Sequence, residues 1–171
     1  MGIREIGKSK TTMKGNAGEY LVCFDLTMQG YPAAMAQPGL SYDVIVDVNG
    51  TMEKIQVKSS SRMSMSIGST WRYSFSLDKS HEDWHGGVIK KRPIGDCDYY
   101  AFVALDIRRV AYLPWEQMSK NGIPQSSIRF KSRGREYVGR SYDTGSKRQI
   151  TWGKFFEDFT DFSKCLNKPN E

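Results

Sequence analysis

Asp43, Gln56 and Lys58 are the residues of this chain whose types and spacing combine into chemistry. They flank Asn49-Gly50, a pair that accepts the positive φ angles of a two-residue hairpin turn. With those two as the loop, Val48 pairs with Thr51, and counting outward sets Asp43 directly across from Gln56. Side chains alternate along a strand, so Asp43, Gln56 and Lys58 fall on one exposed face. Val44, Val46, Ile55 and Val57 fall on the other, the expected core side. Facing Cβ atoms lie about 5 Å apart across two strands, close enough for an acid and an amide oxygen to share a cation.

A hard divalent ion, most simply Mg²⁺ with Mn²⁺ as a substitute, takes oxygen ligands and leaves a position open. Asp43 offers a carboxylate, Gln56 an amide oxygen and Val57 a backbone carbonyl. Lys58 would hold an attacking water and offset charge building on a phosphate. The set suits hydrolysis of a phosphodiester. Glu19 is a fourth candidate. On a helix it shares a side with Val22, Cys23 and Leu26, and a carboxylate among apolar groups needs a partner, which the metal or Lys58 would provide.

Plainer readings stand beside these. Lys54 lies on the same face and fits a solvated hairpin surface. Asp47, opposite Met52 and close to the turn, reads as solvated. His81 and His85 are spaced i, i+4 but lack the second close pair that a zinc site needs, so they read as part of a polar loop.

The elements that must position the site are legible in part. Residues 17–29 predict a helix that is apolar nearly all round, with Tyr20, Leu21, Phe24 and Met28 on one side. Such a helix is expected to be buried on more than one face and to end at Gly30. Residues 42–48 and 51–58 are the two strands of the hairpin. Trp71 to Leu77 alternates as a strand, and Tyr99 to Leu105 with Val110 to Leu113 forms a second hairpin around Asp106 to Arg109. Trp115 to Lys120 predicts a short helix, and Ser61 to Ile67 reads equally as a strand or a flap. From Thr151, a plausible N-cap, Trp152, Phe155, Phe156, Phe159 and Phe162 recur at helical spacing and predict a core-facing helix.

The chain has 171 residues, enough for one domain with a core. Its 25 Lys and Arg against 19 Asp and Glu give +6. Most of that charge sits between Arg129 and Arg148, where seven basic residues face Glu136 and Asp143. Arg129, Lys131, Arg133, Arg135, Arg140, Lys147 and Arg148 are therefore candidate contacts to a DNA backbone. Lys14 and Ser59 join them, with Lys8 and Lys10 extending the basic surface. The expected layout is a basic arm over 1–13, a domain over 14–166 with its basic segment at 121–148, and a tail at 167–171. Three scattered cysteines (Cys23, Cys97, Cys165) argue against a disulfide framework. No apolar leader and no membrane-length apolar run is present, which predicts a cytoplasmic protein without membrane contact.

Glu19 on a first helix, Asp43 opening a strand and Gln56-Val57-Lys58 on the next resembles the core pattern of the PD-(D/E)xK nuclease superfamily. Tyr42 stands where the family's proline would be, and Gln56 replaces an acid. That glutamine, with Tyr42-Asp43-Val44-Ile45-Val46, Ile55-Gln56-Val57-Lys58-Ser59, Asp98-Tyr99-Tyr100-Ala101-Phe102-Val103 and Val110-Ala111-Tyr112-Leu113-Pro114, is similar to the group I intron-encoded homing endonucleases of that superfamily. Archaeal Holliday-junction resolvases share the core. The resemblance covers residues 14 to 118. It implies a restriction-endonuclease-like α/β domain, a mixed central sheet flanked by helices, with Glu19, Asp43, Gln56 and Lys58 catalytic. It further implies Mg²⁺ held by Asp43, Gln56, Val57 and Glu19, and double-stranded or branched DNA as substrate. A homodimer or homotetramer would cut both strands. A junction resolvase is the second expectation, and a DNA-binding module that has lost catalysis is the third, kept open by Gln56.

Overall fold

The computed structural model describes residues 10–61, 64–65, 71–77, 79–82, 88–91, 97–120, 123–124, 127–131 and 150–166. Helix α1 runs Lys10–Met28. It is followed by β1 Ala33–Met35, β2 Val44–Val48, β3 Thr51–Ser60, β4 Ser64–Met65, β5 Trp71–Ser76, β6 Lys79–Glu82 and β7 Val88–Lys91. Then come β8 Tyr99–Ala104, β9 Arg109–Pro114, a 3₁₀ turn at Trp115–Met118, β10 Ser119–Lys120 and β11 Ile123–Pro124. Strands β12 Ser127–Lys131 and β13 Ile150–Phe155, a second 3₁₀ turn at Phe156–Phe159 and α2 Ser163–Leu166 complete the order.

The central sheet has the order β1-β2-β3-β8-β9. It is mixed: β3 runs parallel to β8, and every other neighbouring pair is antiparallel. Asn49 and Gly50 take φ of 54° and 86°, the left-handed pair that a type I′ turn requires. Asp47 does more than face solvent, because its Oδ1 accepts the Gly50 N–H at 2.6 Å and pins the turn. The register Val48–Thr51 through Val44–Ile55 is the one that the turn dictates.

Each face of this sheet carries its own core. On one, Val22 and Leu26 of α1 pack on Val44, Val46, Ile55, Val57, Ala101, Val103 and Tyr112, with Phe162 and Cys165 from the chain's last described turn. On the other, a second sheet of order β13-β12-β5-β4 lays Tyr73, Phe75, Ile128 and Phe130 over Tyr100, Phe102 and Leu113. The expected layer of helices is thus a helix on one side and a sheet on the other. Cys23, Cys97 and Cys165 are all free thiols. No helix among the described residues is long and apolar enough to cross a membrane.

Three sequence expectations are corrected. The helix begins at Lys10, seven residues before its apolar pattern starts, because its first turns carry polar residues that periodicity does not register. Only one of its faces is buried: Tyr20, Phe24 and Met28 are 64%, 63% and 71% exposed. The helix predicted from Thr151 is instead strand β13, which pairs in parallel with β12. Its aromatics do feed the core, since Phe156 and Phe162 are fully buried.

Helix α1 ends as expected. The Tyr31 N–H reaches the Leu26 carbonyl at 2.9 Å and the Gly30 N–H the Thr27 carbonyl at 3.0 Å, with Gly30 at φ 91°, a Schellman cap. His81 lies in β6, paired with Ile89 of β7, where a loop was expected. Its side chain, His85, and residues 62–63 and 66–67 of the Ser61–Ile67 alternation lie outside the described residues.

Candidate active site

Asp43 is held from both sides by its backbone. Its N–H donates to Ile55 O at 2.9 Å, and its carbonyl accepts from Ala36 N at 2.9 Å. The carboxylate is thereby fixed at the mouth of the β2–β3 ladder. Its Oδ2 accepts the Val57 N–H at 2.7 Å. The same oxygen accepts the side-chain amide of Gln56. The turn-derived pairing has thus brought acid and amide into direct contact.

Val57 adds a carbonyl to this place. Within a strand the N–H and C=O of one residue point to the same neighbour. Val57 donates to Asp43, and Ile55 two residues earlier accepts from it, so the Val57 carbonyl also points to the β2 side, past the point where β2 begins. Gln56 and Lys58 lie opposite Tyr100 and Phe102 of β8 and share their face.

That face is not the exposed one the hairpin suggested. Gln56 is only 7% exposed and Lys58 half-buried, because the second sheet covers the neighbouring aromatics. The site therefore opens at an edge between two packed layers rather than on a flat surface.

Glu19 reaches the same region from α1. Its carboxyl is pushed above the usual range, first by burial and then by the negative charge of Asp43. A carboxyl whose proton affinity is raised by a neighbouring carboxylate is a setting in which a bound cation is favourable. Among the described residues no three Asp, Glu, His or Cys side chains converge on one point, so further ligands must be neutral oxygens. Gln56 and the Val57 carbonyl are such oxygens. Turning the Gln56 amide over would present its oxygen where its nitrogen now lies. The donor set fits a hard divalent ion.

The DNA-facing expectations fare unevenly. Lys14 is exposed, and its Nζ donates to Ser61 Oγ at 3.3 Å. Ser59 is a correction: it lies on the α1 side of β3, opposite Gln56 and Lys58, and its hydroxyl is buried beneath Gly18 without a hydrogen-bond partner among the described residues. Such a hydroxyl is not presented to DNA. Arg129 sits on β12 between the inward Ile128 and Phe130, and so faces away from the core and belongs to the second sheet. The Lys131 side chain and Arg133, Arg135, Arg140, Lys147 and Arg148 lie outside the described residues, as do Lys8 and the 167–171 tail.

The sequence reading missed Gly18, the point where helix and hairpin touch. Its only signal was the presence of two glycines, Gly15 and Gly18, inside a helical stretch that glycine destabilises.

No curated protein matches the chain. Among solved structures, the chain is similar to a bacterial homing endonuclease, I-Ssp6803I, with a TM-score of 0.60 at 17% identity, covering 95% of this chain and 100% of that one. At that identity the likeness speaks for the fold. The sequence model of the PD-(D/E)XK endonuclease family matches residues 9–136, a span that holds α1, the β2–β3 hairpin and the whole candidate site. The chain belongs to the PD-(D/E)XK endonuclease family.

Proposed function

We propose that this endonuclease cuts DNA at a specific site, as a homing-type enzyme, and that it needs a divalent metal, Mg²⁺ or Mn²⁺ in its place. The observation that carries this reading is the Asp43 carboxylate, held by the Val57 N–H and the Gln56 amide and close enough to Glu19 to raise its proton affinity. Asp43, Gln56, the Val57 carbonyl and Glu19 would hold the ion. When bound, it supplies an electrophile for the scissile phosphate and lowers the pKa of water.

The chain's own residues do the rest. Asp43 and Gln56 fix the site's place because the hairpin fixes them. Lys58, one ladder step beyond Gln56 on the same face, orients a water toward the phosphorus and balances charge on the phosphate oxygens. Packing of the two sheets beside Gln56 excludes bulk water and strengthens each of these contacts. Cutting both strands of a duplex calls for a symmetric oligomer, a dimer or a dimer of dimers.

A non-catalytic reading draws on Gln56, which removes a ligand charge that an acid would supply. One assay separates the readings: plasmid, linear duplex and a synthetic four-way junction, each with Mg²⁺ or EDTA, beside Asp43→Ala and Lys58→Ala. Discrete Mg²⁺-dependent plasmid fragments that vanish in both variants are expected. Paired nicks confined to the junction would instead mark a resolvase. Binding without cleavage would mark a DNA-binding module, and full activity in Asp43→Ala would remove the site assignment.

A further inference from the structure

Helix α1 is apolar on two opposite sides, and the central sheet uses only one. At 100° per residue, Gly18, Val22 and Leu26 form the buried side. Met13, Ala17, Tyr20 and Phe24 lie half a turn away, with Met28 extending the row. Met13, Tyr20, Phe24 and Met28 are 61%, 64%, 63% and 71% exposed, and Ala17 is exposed as well. A continuous outer row of large apolar side chains is rare on a monomer and marks a contact surface.

The spacing of the row names the kind of contact. Met13, Ala17, Tyr20 and Phe24 step by four, three and four residues, the seam along which one helix packs its knobs into the holes of another. The row is also complementary to itself. Laid antiparallel about a two-fold axis between Tyr20 and Leu21, Met13 meets Met28 of a second copy, and the small Ala17 meets the large Phe24. Antiparallel packing also opposes the two helix dipoles, in a helix with no acid in its first turn and no base in its last.

Area supports a second copy as the occupant. A buried aromatic covers ~150–250 Å². Two aromatics and two methionines exposed by about three-fifths to seven-tenths therefore offer on the order of 500 Å² per copy, much of the ~800 Å² per partner in a stable interface.

We infer that the outer face of α1 is a self-association surface, through which two copies pair as antiparallel helices centred between Tyr20 and Leu21. This rests on the symmetric assembly proposed above and names its contact.

The mass of the full chain in solution, measured by light scattering without DNA or metal, tests it independently of cleavage. The wild type is expected to be a dimer or a multiple of one. Phe24→Lys and Tyr20→Lys should each weaken association by about tenfold or more, as loss of a buried aromatic anchor does. Neither change touches the core, so both variants should keep the wild-type circular dichroism. Ala17→Phe sets large against large and should weaken the pair, whereas Ala17→Phe with Phe24→Ala exchanges knob and hole and should restore it. A wild type that stays monomeric, or an oligomer unmoved by both lysine variants, overturns the surface. A double exchange no better than Ala17→Phe alone overturns the antiparallel register. An intact oligomer that cleaves nothing would count against the nuclease reading alone.

Discussion

A Cβ atom on Gly18 would stand 1.9 Å from the Ser59 hydroxyl oxygen, 3.2 Å from Ser59 Cβ and 3.6 Å from Val103 Cγ2. Helix α1 thus sets its backbone at Gly18 directly on the Ser59 side chain of β3, with no side chain of its own between them. Glu19 is the next residue, so the depth of this contact sets how near its carboxyl comes to Asp43.

Gly18→Ala must turn the Ser59 hydroxyl aside and, against Ser59 Cβ, ease α1 off β3 by a few tenths of an ångström. A displacement of about 1 Å at a catalytic group lowers rates by about a hundredfold, so this smaller shift should lower cleavage by roughly threefold to tenfold. Ser59→Ala alone should leave cleavage intact and raise stability by about 1 kcal/mol, because it removes a buried hydroxyl that has no partner among the described residues. Combined with Gly18→Ala it should recover part of the lost activity, since the 1.9 Å approach is gone while the 3.2 Å one remains. Wild-type rates in Gly18→Ala, measured on the same substrate, would show that α1 does not position Glu19.

Gln56→Glu changes the sign of one contact. The amide that donates to Asp43 becomes a second carboxylate facing it. Without metal, repulsion between like charges should lower the melting temperature below that of the wild type. With Mg²⁺ the added ligand charge should tighten binding, and saturation a hundredfold above Kd returns about 2.7 kcal/mol. Thermal melts in EDTA and across a Mg²⁺ series should therefore show a larger metal-induced rise in the variant than in the wild type. Equal rises would mean that position 56 does not ligate the metal.

Gln56 and Asp43 could be placed from sequence because a two-residue turn is a local device. Asn49-Gly50 fixes the register, and the register fixes which side chains meet. What escaped depends on distant partners. Residues 150–155 carry aromatics spaced for a helix, yet pairing with β12 overrides that pattern. The burial of Gln56 depends on β5 and β12, whose arrival over β8 no local pattern announces. Tyr20 and Phe24 were expected inside because they are apolar, but one sheet face can cover only one side of a helix.

Asp25 offers a pH test away from the site. Its Oδ2 accepts the Tyr112 hydroxyl at 2.7 Å and the Gln29 amide at 2.7 Å. Burial raises its carboxyl above the ordinary range, and these two hydrogen bonds pull it only partly back. A carboxyl raised on folding favours the folded state most below its unfolded value of 3.8, and that contribution is lost as pH rises through the higher folded value. At neutral pH the ionised group is therefore a liability. Asp25→Asn keeps an oxygen for both donors and removes the charge. Its melting temperature should rise at pH 7, by no more than about 2–4 °C because solvent screens a half-buried group. The gain should shrink as the pH falls toward 4. A gain that is constant with pH, or a loss at pH 7, would assign the effect to packing rather than charge.

Phe162 ties the end of the chain to the sheet that carries the site. Its ring meets those of Tyr31, Tyr99 and Tyr112 edge-on, with centroids 5.1, 5.2 and 5.1 Å away. Gln29, just beyond α1, clasps the same segment, donating to Thr160 O at 2.9 Å and accepting the Phe162 N–H at 2.8 Å. Removing the ring leaves a cavity among three tyrosines, and truncating a buried Phe costs about 3–5 kcal/mol. Gln29→Ala loses both of these hydrogen bonds and the one to Asp25 at a half-buried position, and should cost about 1–3 kcal/mol. The two residues hold one segment, so the double variant should lose less than the two single losses together. Urea denaturation of the four proteins measures this directly. Strict additivity would mean that ring and clasp act independently, and that the segment is not held to the sheet as a unit.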